Sequence, residues 1–87
     1  MVIVTGTVVE AWTGIPVDSA IVMFRRGFEE VKAVTSSDGS FTVHVKTGTY
    51  EVTVLHRDYE TYRSTVTFDT EGMYTMRIEL KPRFRAL

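Results

Sequence analysis

The sequence contains no cysteine, which excludes disulfide bonds, thiolate nucleophiles and cysteine-ligated metals. It also lacks asparagine and glutamine, although about seven such residues would be expected at average usage in a chain of this length. The absence of asparagine excludes N-glycosylation. Depletion of both thermolabile amides is consistent with a heat-adapted source, and chance or design are the alternatives. Because no covalent cross-link is available, one apolar core must stabilise these 87 residues.

Strong charge and long apolar runs are missing as well. The chain carries 10 basic and 11 acidic residues and a net charge of −1, so it has no strong field to hold nucleic acid or an anionic membrane. No apolar run approaches the roughly twenty residues that span a bilayer, and the basic and apolar regions of a signal peptide are absent. We therefore predict no nucleic-acid partner and no membrane insertion. The compartment stays open, since the chain is either cytoplasmic or a domain of a longer protein whose targeting segment lies elsewhere.

What the chain does contain is typical of β-structure. Valine and threonine, both β-branched, supply 13 residues each, and hydrophobic residues make up 44% of the chain. Short runs of alternating apolar and polar residues are broken by turn residues every ~8–12 positions. These runs predict seven strands, from Val2 to Ala11, Ala20 to Arg26, Phe28 to Ser36, Phe41 to Val45, Thr49 to Arg57, Arg63 to Asp69 and Met73 to Leu80.

Alternation also predicts which side chains are buried. Strands of this number and size form two packed sheets rather than one flat sheet. The residues expected in the shared core are Val4, Val8, Val22, Phe24, Phe41, Val43, Tyr50, Val52, Val54, Val66, Ile78 and Leu80. The Asp38-Gly39 pair predicts a primed hairpin turn between the third and fourth strands.

The sequence carries no constellation typical of catalysis or of metal binding. The two histidines, His44 and His56, occur in no His-x-His or His-Glu-x-x-His spacing, so a surface position or a satisfied core position is expected for each. No serine lies in a Gly-x-Ser-x-Gly setting, and the residues after Asp38-Gly39 lack the oxygen ligands of a calcium loop. We therefore predict no catalytic residue, no cofactor and no metal site, and thus no enzyme.

Several motifs resemble the carboxypeptidase regulatory-like domain family, a transthyretin-like (prealbumin-like) group related to CnaB-type sandwiches. The opening motifs are Val4-x-Gly6-x-Val8, Thr13-Gly14-x-Pro16-Val17 and Ala20-x-Val22. The later motifs are Thr35-x-x-Asp38-Gly39-x-Phe41, Gly48-x-Tyr50-x-Val52-x-Val54, Tyr59-Glu60 and Ile78-x-Leu80. Their order and spacing resemble the family over nearly the whole chain.

The resemblance implies an all-β, seven-stranded Greek-key sandwich of the prealbumin type over residues 1–81, followed by a short tail or linker at 82–87. Family members are mostly modules appended to peptidases, outer-membrane receptors and surface proteins, which implies a secreted or cell-envelope context within a longer protein. One residue departs from the family pattern. The corner tyrosine is usually preceded by glycine, and Asp58 stands there instead, so some backbone strain is expected at Asp58.

Apolar residues at outward positions form the candidate interaction surface. Ile21 and Met23 on the second strand, with Ile3 and Val9 on the first, are expected to form one contiguous exposed patch. Phe84 and Leu87 in the C-terminal segment are a competing cover for that patch.

Trp12, in the first loop, is expected to cover the end of the sandwich. The alternative is an exposed indole that stacks on a sugar or anchors a protein partner.

These observations favour a non-catalytic structural or protein-interaction module within a larger protein or assembly. Its partner would be another protein, a neighbouring domain or a second copy, bound through the apolar patch or by strand addition at a sheet edge. The alternative is a carbohydrate-binding module that uses Trp12 and a nearby tyrosine.

Overall fold

Each of the seven predicted strands is present in the structure, a computed structural model that describes residues 1–84. The strands are β1 (Val2–Glu10), β2 (Ile21–Arg26), β3 (Glu29–Val34), β4 (Ser40–Val45), β5 (Gly48–Leu55), β6 (Tyr62–Phe68) and β7 (Gly72–Leu80). All of their ends lie within two residues of the predicted ends. No helix among residues 1–84 has the length and apolar composition that a membrane crossing requires.

The strands form two sheets of unequal width. β4, β1 and β7 form a three-stranded sheet in that order, and β3, β2, β5 and β6 form a four-stranded sheet. β1 and β7 run parallel, whereas the other neighbouring strands run antiparallel. This arrangement confirms the two packed sheets that the sequence predicts and the all-β sandwich of the prealbumin type that the family resemblance implies.

The prediction of a hairpin between β3 and β4 is wrong, because these strands belong to different sheets. A turn over residues 36–39 carries the chain from one sheet to the other, and the Gly39 N–H donates to the Ser36 carbonyl at 2.8 Å. Gly39 has a φ of 79°, but Asp38 lacks the positive φ that a primed turn requires. The turn docks on β1, since the Val8 N–H donates to the Gly39 carbonyl at 2.8 Å. A Cβ at position 39 would overlap the Val8 carbonyl, so the close approach requires glycine.

The Asp38 carboxylate orders this turn. Its Oδ1 accepts from the Ser36 hydroxyl at 2.7 Å and from the Ser40 N–H at 3.0 Å. Hydrogen bonds from Ser36 and Ser40 favour the ionised form and lower the pKa of Asp38 to about 2. The ionised carboxylate therefore stabilises the crossing between the sheets.

The core lies between the sheets and consists largely of the predicted inward positions. Of the predicted residues, Val66 is half-buried because it lies on the edge strand β6, and the others are buried. Val2, Val17, Ala20, Val45 and Phe68 are buried with them. The Phe41 ring packs over Gly6 of β1, where any Cβ would overlap the ring.

An aromatic cluster links the two sheets inside this core. The Phe24 ring of β2 lies 6.4 Å from Phe41 of β4, 6.3 Å from Tyr50 of β5 and 6.4 Å from Phe68 of β6, measured between ring centroids. These separations lie within the range of favourable aromatic contacts. The cluster contains one polar group, the Tyr50 hydroxyl. It donates a hydrogen bond to the Lys46 carbonyl at 2.8 Å.

The strain expected at Asp58 does not occur. Among residues 1–84, the non-glycine residues with positive φ are Trp12 at 71° and Ser19 at 63°. The Asp58 N–H donates to Nδ1 of His56 at 3.1 Å, and the Tyr59 N–H donates to the His56 carbonyl at 3.1 Å. These two hydrogen bonds to His56 hold the corner, and the backbone does not require a left-handed residue at position 58.

Replacing Phe41 by alanine should lower the free energy of unfolding by ~3–5 kcal/mol, because the change removes a buried ring and leaves a cavity above Gly6. Thr42→Ala, at the exposed neighbouring position, is the matched control and should cost no more than about 0.5 kcal/mol. Urea denaturation of both variants checks this. A cost below about 1 kcal/mol for Phe41→Ala would contradict the assigned core.

Removing the Asp38 carboxylate should destabilise the protein in a pH-dependent way. A carboxyl whose pKa is lowered on folding stabilises the fold above its unfolded pKa and loses that contribution as pH falls through the folded value. With a folded pKa of about 2 and an ordinary value of 3.8, Asp38→Ala should melt below the unmodified protein at pH 6. The gap in melting temperature should close as the pH falls from about 4 towards 2. Asp69→Ala, in the exposed turn before β7, is the control, and a gap for Asp38→Ala that stays constant with pH would refute the role of ionisation.

Candidate interaction surfaces

Three exposed apolar side chains lie side by side on the outer face of the four-stranded sheet. Ile21 on β2 pairs with Val34 on β3 and with Leu55 on β5, so the three form one row across the strands. Their exposed fractions are 38% for Ile21, 64% for Val34 and 38% for Leu55. Met23, which is half-buried, lies two residues after Ile21 on β2 and faces the same side of the sheet, so it extends the surface along that strand. We call Val34, Ile21, Leu55 and Met23 the apolar strip.

The strip follows from strand alternation combined with register. Val22 and Val54 are paired on the inner face and are both 0% exposed, so their neighbours Ile21 and Leu55 point outward. Strand alternation predicts outward positions for Ile21 and Met23, but the sequence pattern did not indicate that Val34 and Leu55 belong to the same surface. Continuing the alternation of β5 by one residue past Val54 places Leu55 outward, but only the pairing of the strands brings it beside Ile21.

An open cleft of about 650 Å³ continues the strip past the ends of β2 and β5. Ile21 and Leu55 form its apolar side. Its remaining lining is polar or charged and comes from the connecting segments: Asp18, Ser19, His56, Arg57, Asp58, Thr61 and Arg83. An apolar centre with a polar rim is the usual anatomy of a protein–protein interface.

Thr35 holds the loop that carries Asp18 and Ser19. Its side chain is buried, and its hydroxyl donates to the Val17 carbonyl at 2.7 Å and accepts from the Ala20 N–H at 2.9 Å. The Ser19 N–H donates to the Thr35 carbonyl at 3.1 Å. These bonds hold Ser19 in its left-handed conformation, so this rim of the cleft has a defined shape.

The predicted contiguous patch does not form. Ile3 lies on the three-stranded sheet between His44 and Met73, whereas Ile21 and Met23 lie on the outer face of the other sheet. Two outer faces of a sandwich point in opposite directions, so these residues cannot share one surface. The role of Ile21 and Met23 in partner binding stays a prediction.

Val9 is also not part of an exposed patch, because it is 3% exposed. The loop between β1 and β2 folds back onto the end of β1 and places Pro16 opposite Val9. The Glu10 N–H donates to the Ile15 carbonyl at 2.8 Å, which closes this loop against the strand. Simple alternation along β1 cannot reveal a cover of this kind.

The expectation that Trp12 covers the end of the sandwich is wrong, since its side chain is 82% exposed. The loop that presents it is ordered by Glu10. The Gly14 N–H donates to the Glu10 carbonyl at 2.9 Å, and the Thr13 hydroxyl donates to Glu10 Oε1 at 2.9 Å. Trp12 itself has a φ of 71°, a conformation that costs a non-glycine residue roughly 1–2 kcal/mol.

Glu10 also joins this loop to the corner before β6. The Tyr59 hydroxyl donates to Glu10 Oε2 at 2.7 Å. Burial of the hydroxyl is the main reason that the pKa of Tyr59 is raised to about 12, and the hydrogen bond to Glu10 acts in the same direction. The Tyr59 ring stands edge-on to His56 at 5.1 Å between centroids. Tyr59 is therefore engaged in holding the corner and does not form an open aromatic platform with Trp12.

The histidines take the positions expected for them. His44 is exposed on β4, and His56 is half-buried with its Nδ1 accepting the Asp58 N–H. Among residues 1–84, no group of three or more histidine, aspartate and glutamate side chains could hold a metal ion. The absence of a cofactor and of a catalytic site stays a prediction.

Phe84 of the C-terminal segment does not cover the apolar strip, because its side chain is 94% exposed. Leu87, the other residue considered as a cover, lies outside the described residues. The boundary between a domain at 1–81 and a tail at 82–87 stays a prediction.

Comparison with known proteins identifies related folds. The family model for the carboxypeptidase regulatory-like domain matches residues 3–81. Among curated proteins, no match was found. A DUF3823 family protein from Bacteroides ovatus is similar, with 18% identity and a TM-score of 0.71 over 93% of this chain and 44% of that chain.

Two further structures extend the range of similar proteins. A streptococcal ancillary pilin has 20% identity and a TM-score of 0.70, over 95% of this chain and 30% of that chain. The 5-hydroxyisourate hydrolase of Klebsiella pneumoniae has 18% identity and a TM-score of 0.69, over 94% of this chain and 92% of that chain. The chain thus spans less than half of the Bacteroides protein and of the pilin, and the similarity concerns the fold alone.

Replacing Trp12 by glycine should give a more stable protein than replacing it by alanine, by about 0.5–1 kcal/mol. Both changes remove the same exposed ring, but only glycine relieves the left-handed backbone, and this gain exceeds its larger entropy in the unfolded chain. Chemical denaturation measures the difference. The same pair of substitutions at Thr13, which has no positive φ, is the control and should show the opposite order. An alanine variant at position 12 as stable as the glycine variant would contradict the strain.

Proposed function

Because the chain belongs to the carboxypeptidase regulatory-like domain family, we propose that it is a non-catalytic interaction module whose partner binds the apolar strip. The partner is another protein or a neighbouring domain of the same protein. The observation that carries the proposal is the row of Val34, Ile21 and Leu55, three apolar side chains exposed side by side.

The surroundings of the strip support this function. The cleft beside it carries Asp18 and Asp58 together with Arg57 and Arg83, so its rim offers charge of both signs. A stable interface buries about 800 Å² on each partner, which is more than the strip alone can supply. The strip would therefore be the apolar centre of the contact, and the cleft would supply the polar rim.

Similar folds in longer proteins support a modular role. The Bacteroides ovatus protein and the streptococcal pilin both extend well beyond the region similar to this chain. A domain of this kind has neighbours in the same chain, and an exposed apolar row is a surface that a neighbour can cover.

The chemistry of the cleft favours binding over catalysis. Fold similarity does not decide the matter, since the related structures include a pilin and a hydrolase. The histidine of the cleft, His56, uses Nδ1 to accept the Asp58 N–H and packs its ring against Tyr59. It is thus occupied in closing the corner, and no positioned nucleophile accompanies it among the cleft residues of the described chain.

Carbohydrate binding through Trp12 is the second candidate, and the exposure of the indole is the observation that favours it. The polar groups that lie near Trp12 along the chain and at the adjoining corner are already engaged. The Thr13 hydroxyl and the Tyr59 hydroxyl both donate to Glu10. The apolar strip is therefore the better supported surface.

A photo-cross-linking amino acid placed at Leu55, in the protein as its own cells make it, tests the proposal. It should cross-link to one defined partner or neighbouring domain, whereas the same group at Thr42, on the outer face of the other sheet, should not. Ile21→Glu should reduce the yield at Leu55 about tenfold, because a charge in the apolar centre is costly to desolvate. Thr42→Glu is the matched control, and thermal melting verifies that both variants fold.

Equal cross-linking from Leu55 and Thr42, or an undiminished yield in a folded Ile21→Glu variant, would refute the proposal. A glycan array separates the second candidate. Sugar binding that is lost in Trp12→Ala and kept in Ile21→Glu would favour the carbohydrate function.

A further inference from the structure

Within residues 1–84, the backbone groups along the outer edge of β7 have no hydrogen-bond partner. β7 is an edge strand whose ladder partner is β1, and the Ala11 N–H donates to the Leu80 carbonyl at 2.8 Å. Backbone groups point to alternate sides along a strand, so even-numbered residues of β7 face β1 and odd-numbered residues face the edge. Met73, Thr75, Arg77 and Glu79 therefore present their N–H and C=O groups at this edge.

The edge ends where the corner before β6 reaches it. The Glu60 N–H donates to the Lys81 carbonyl at 2.9 Å, and the Arg83 N–H donates to the Asp58 carbonyl at 2.9 Å. Tyr59 and Pro82 form an antiparallel bridge between these two bonds. The corner thus occupies the position of a fourth strand beside the continuation of β7. The free edge runs from residue 73 to residue 79, which corresponds to about 20 Å of strand.

The facing sheet extends beyond this edge. Tyr62, Ser64 and Val66 point inward from β6 but are only half-buried. On the neighbouring β5, the inward Tyr50 and Val52 are 3% and 0% exposed.

The other side of the sandwich is closed along more of its length, because β3 and β4 pack against each other there. Between β6 and β7 a close contact occurs at one end, where the buried Phe68 ring lies 4.8 Å from the Tyr74 ring. Along β6 and β7 the apolar interior is therefore only partly covered.

We infer that the free edge of β7 binds one extended segment of a partner protein, which adds a fourth strand to the three-stranded sheet. Such a segment continues the ladder that the corner begins at Lys81 and covers the inward face of Val66 and Tyr62. Its residues alternate, with apolar side chains against β6 and polar side chains outward, and its centre contains no proline.

Because the two sheets differ in width, the free edge of β7 can accommodate a single strand but not the β7 edge of a second copy of the domain. If two β7 edges paired, the β6 of each copy would extend over the β7 of the other copy, into the space that the other copy's four-stranded sheet occupies, because the four-stranded sheet is the wider one. One added strand makes the sheets equal in width. This surface is separate from the apolar strip, so each proposal stands or fails without the other.

A tethered strand tests the inference without knowledge of the natural partner. The probe is an alternating valine–threonine segment of about seven residues, fused after Leu87 through a Gly-Ser linker of about twenty residues that reaches about 25 Å. Tethering supplies an effective concentration in the millimolar range, which suffices for a weak edge contact. Amide hydrogen exchange should slow at least about tenfold at Met73, Thr75, Arg77 and Glu79. A control fusion with prolines at two threonine positions of the probe should give no protection.

Arg77→Pro should abolish the protection of the remaining edge amides. The unfused variant should still fold, because the Arg77 N–H has no ladder partner within residues 1–84 and Met76 already has the extended conformation that precedes a proline. Thr75→Pro is a second variant of the same kind. Edge amides that exchange equally fast with both probes, or protection that appears at β3 or β4 instead, would overturn the inference. Protection accompanied by dimerisation in sedimentation velocity would overturn the single-strand geometry.

Discussion

The packing of Phe24 against the rings around it is the interaction on which both sheets depend. Phe24 belongs to the four-stranded sheet and Phe41 to the three-stranded sheet, so their contact joins the two layers. Because the chain has no cysteine, this apolar layer holds the sheets together without covalent help. Gly6 is part of the same constraint, since the Phe41 ring fills the space where a side chain would stand. Once these side chains face inward, strand alternation decides which residues form the two outer faces.

One polar side chain holds each of three connections between strands. The Asp38 carboxylate orders the crossing from β3 to β4, and the Thr35 hydroxyl fixes the loop before β2. The Tyr59 hydroxyl ties the corner before β6 to Glu10. The bonds of Thr35 are buried, so leaving them unmade would be costly, whereas those of Asp38 are exposed.

The two proposed surfaces use different physics. The apolar strip would bind by removing side-chain surface from water, whereas the edge of β7 would bind through backbone hydrogen bonds. Neither relies on long-range attraction, which is consistent with a net charge of −1. Both surfaces follow from the two-sheet architecture, each in its own way. A sandwich with one narrower sheet leaves an edge open, and its outer face carries whatever residues alternate with the core.

Alternation of apolar and polar residues was sufficient to predict the seven strands, most of the core and the outward positions of Ile21 and Met23. These features are local, because the side-chain period of a strand depends only on its own backbone. The sequence did not reveal that β3 and β4 lie in different sheets, that Ile3 and Ile21 face opposite sides, or that Val34 and Leu55 flank Ile21. Nor did it reveal the covering of Val9 or the exposure of Trp12. Each of these depends on pairing between segments that are distant in the chain, and no local pattern specifies such pairing. Tertiary structure alone decided which apolar residues meet on one surface and which backbone edge stays free.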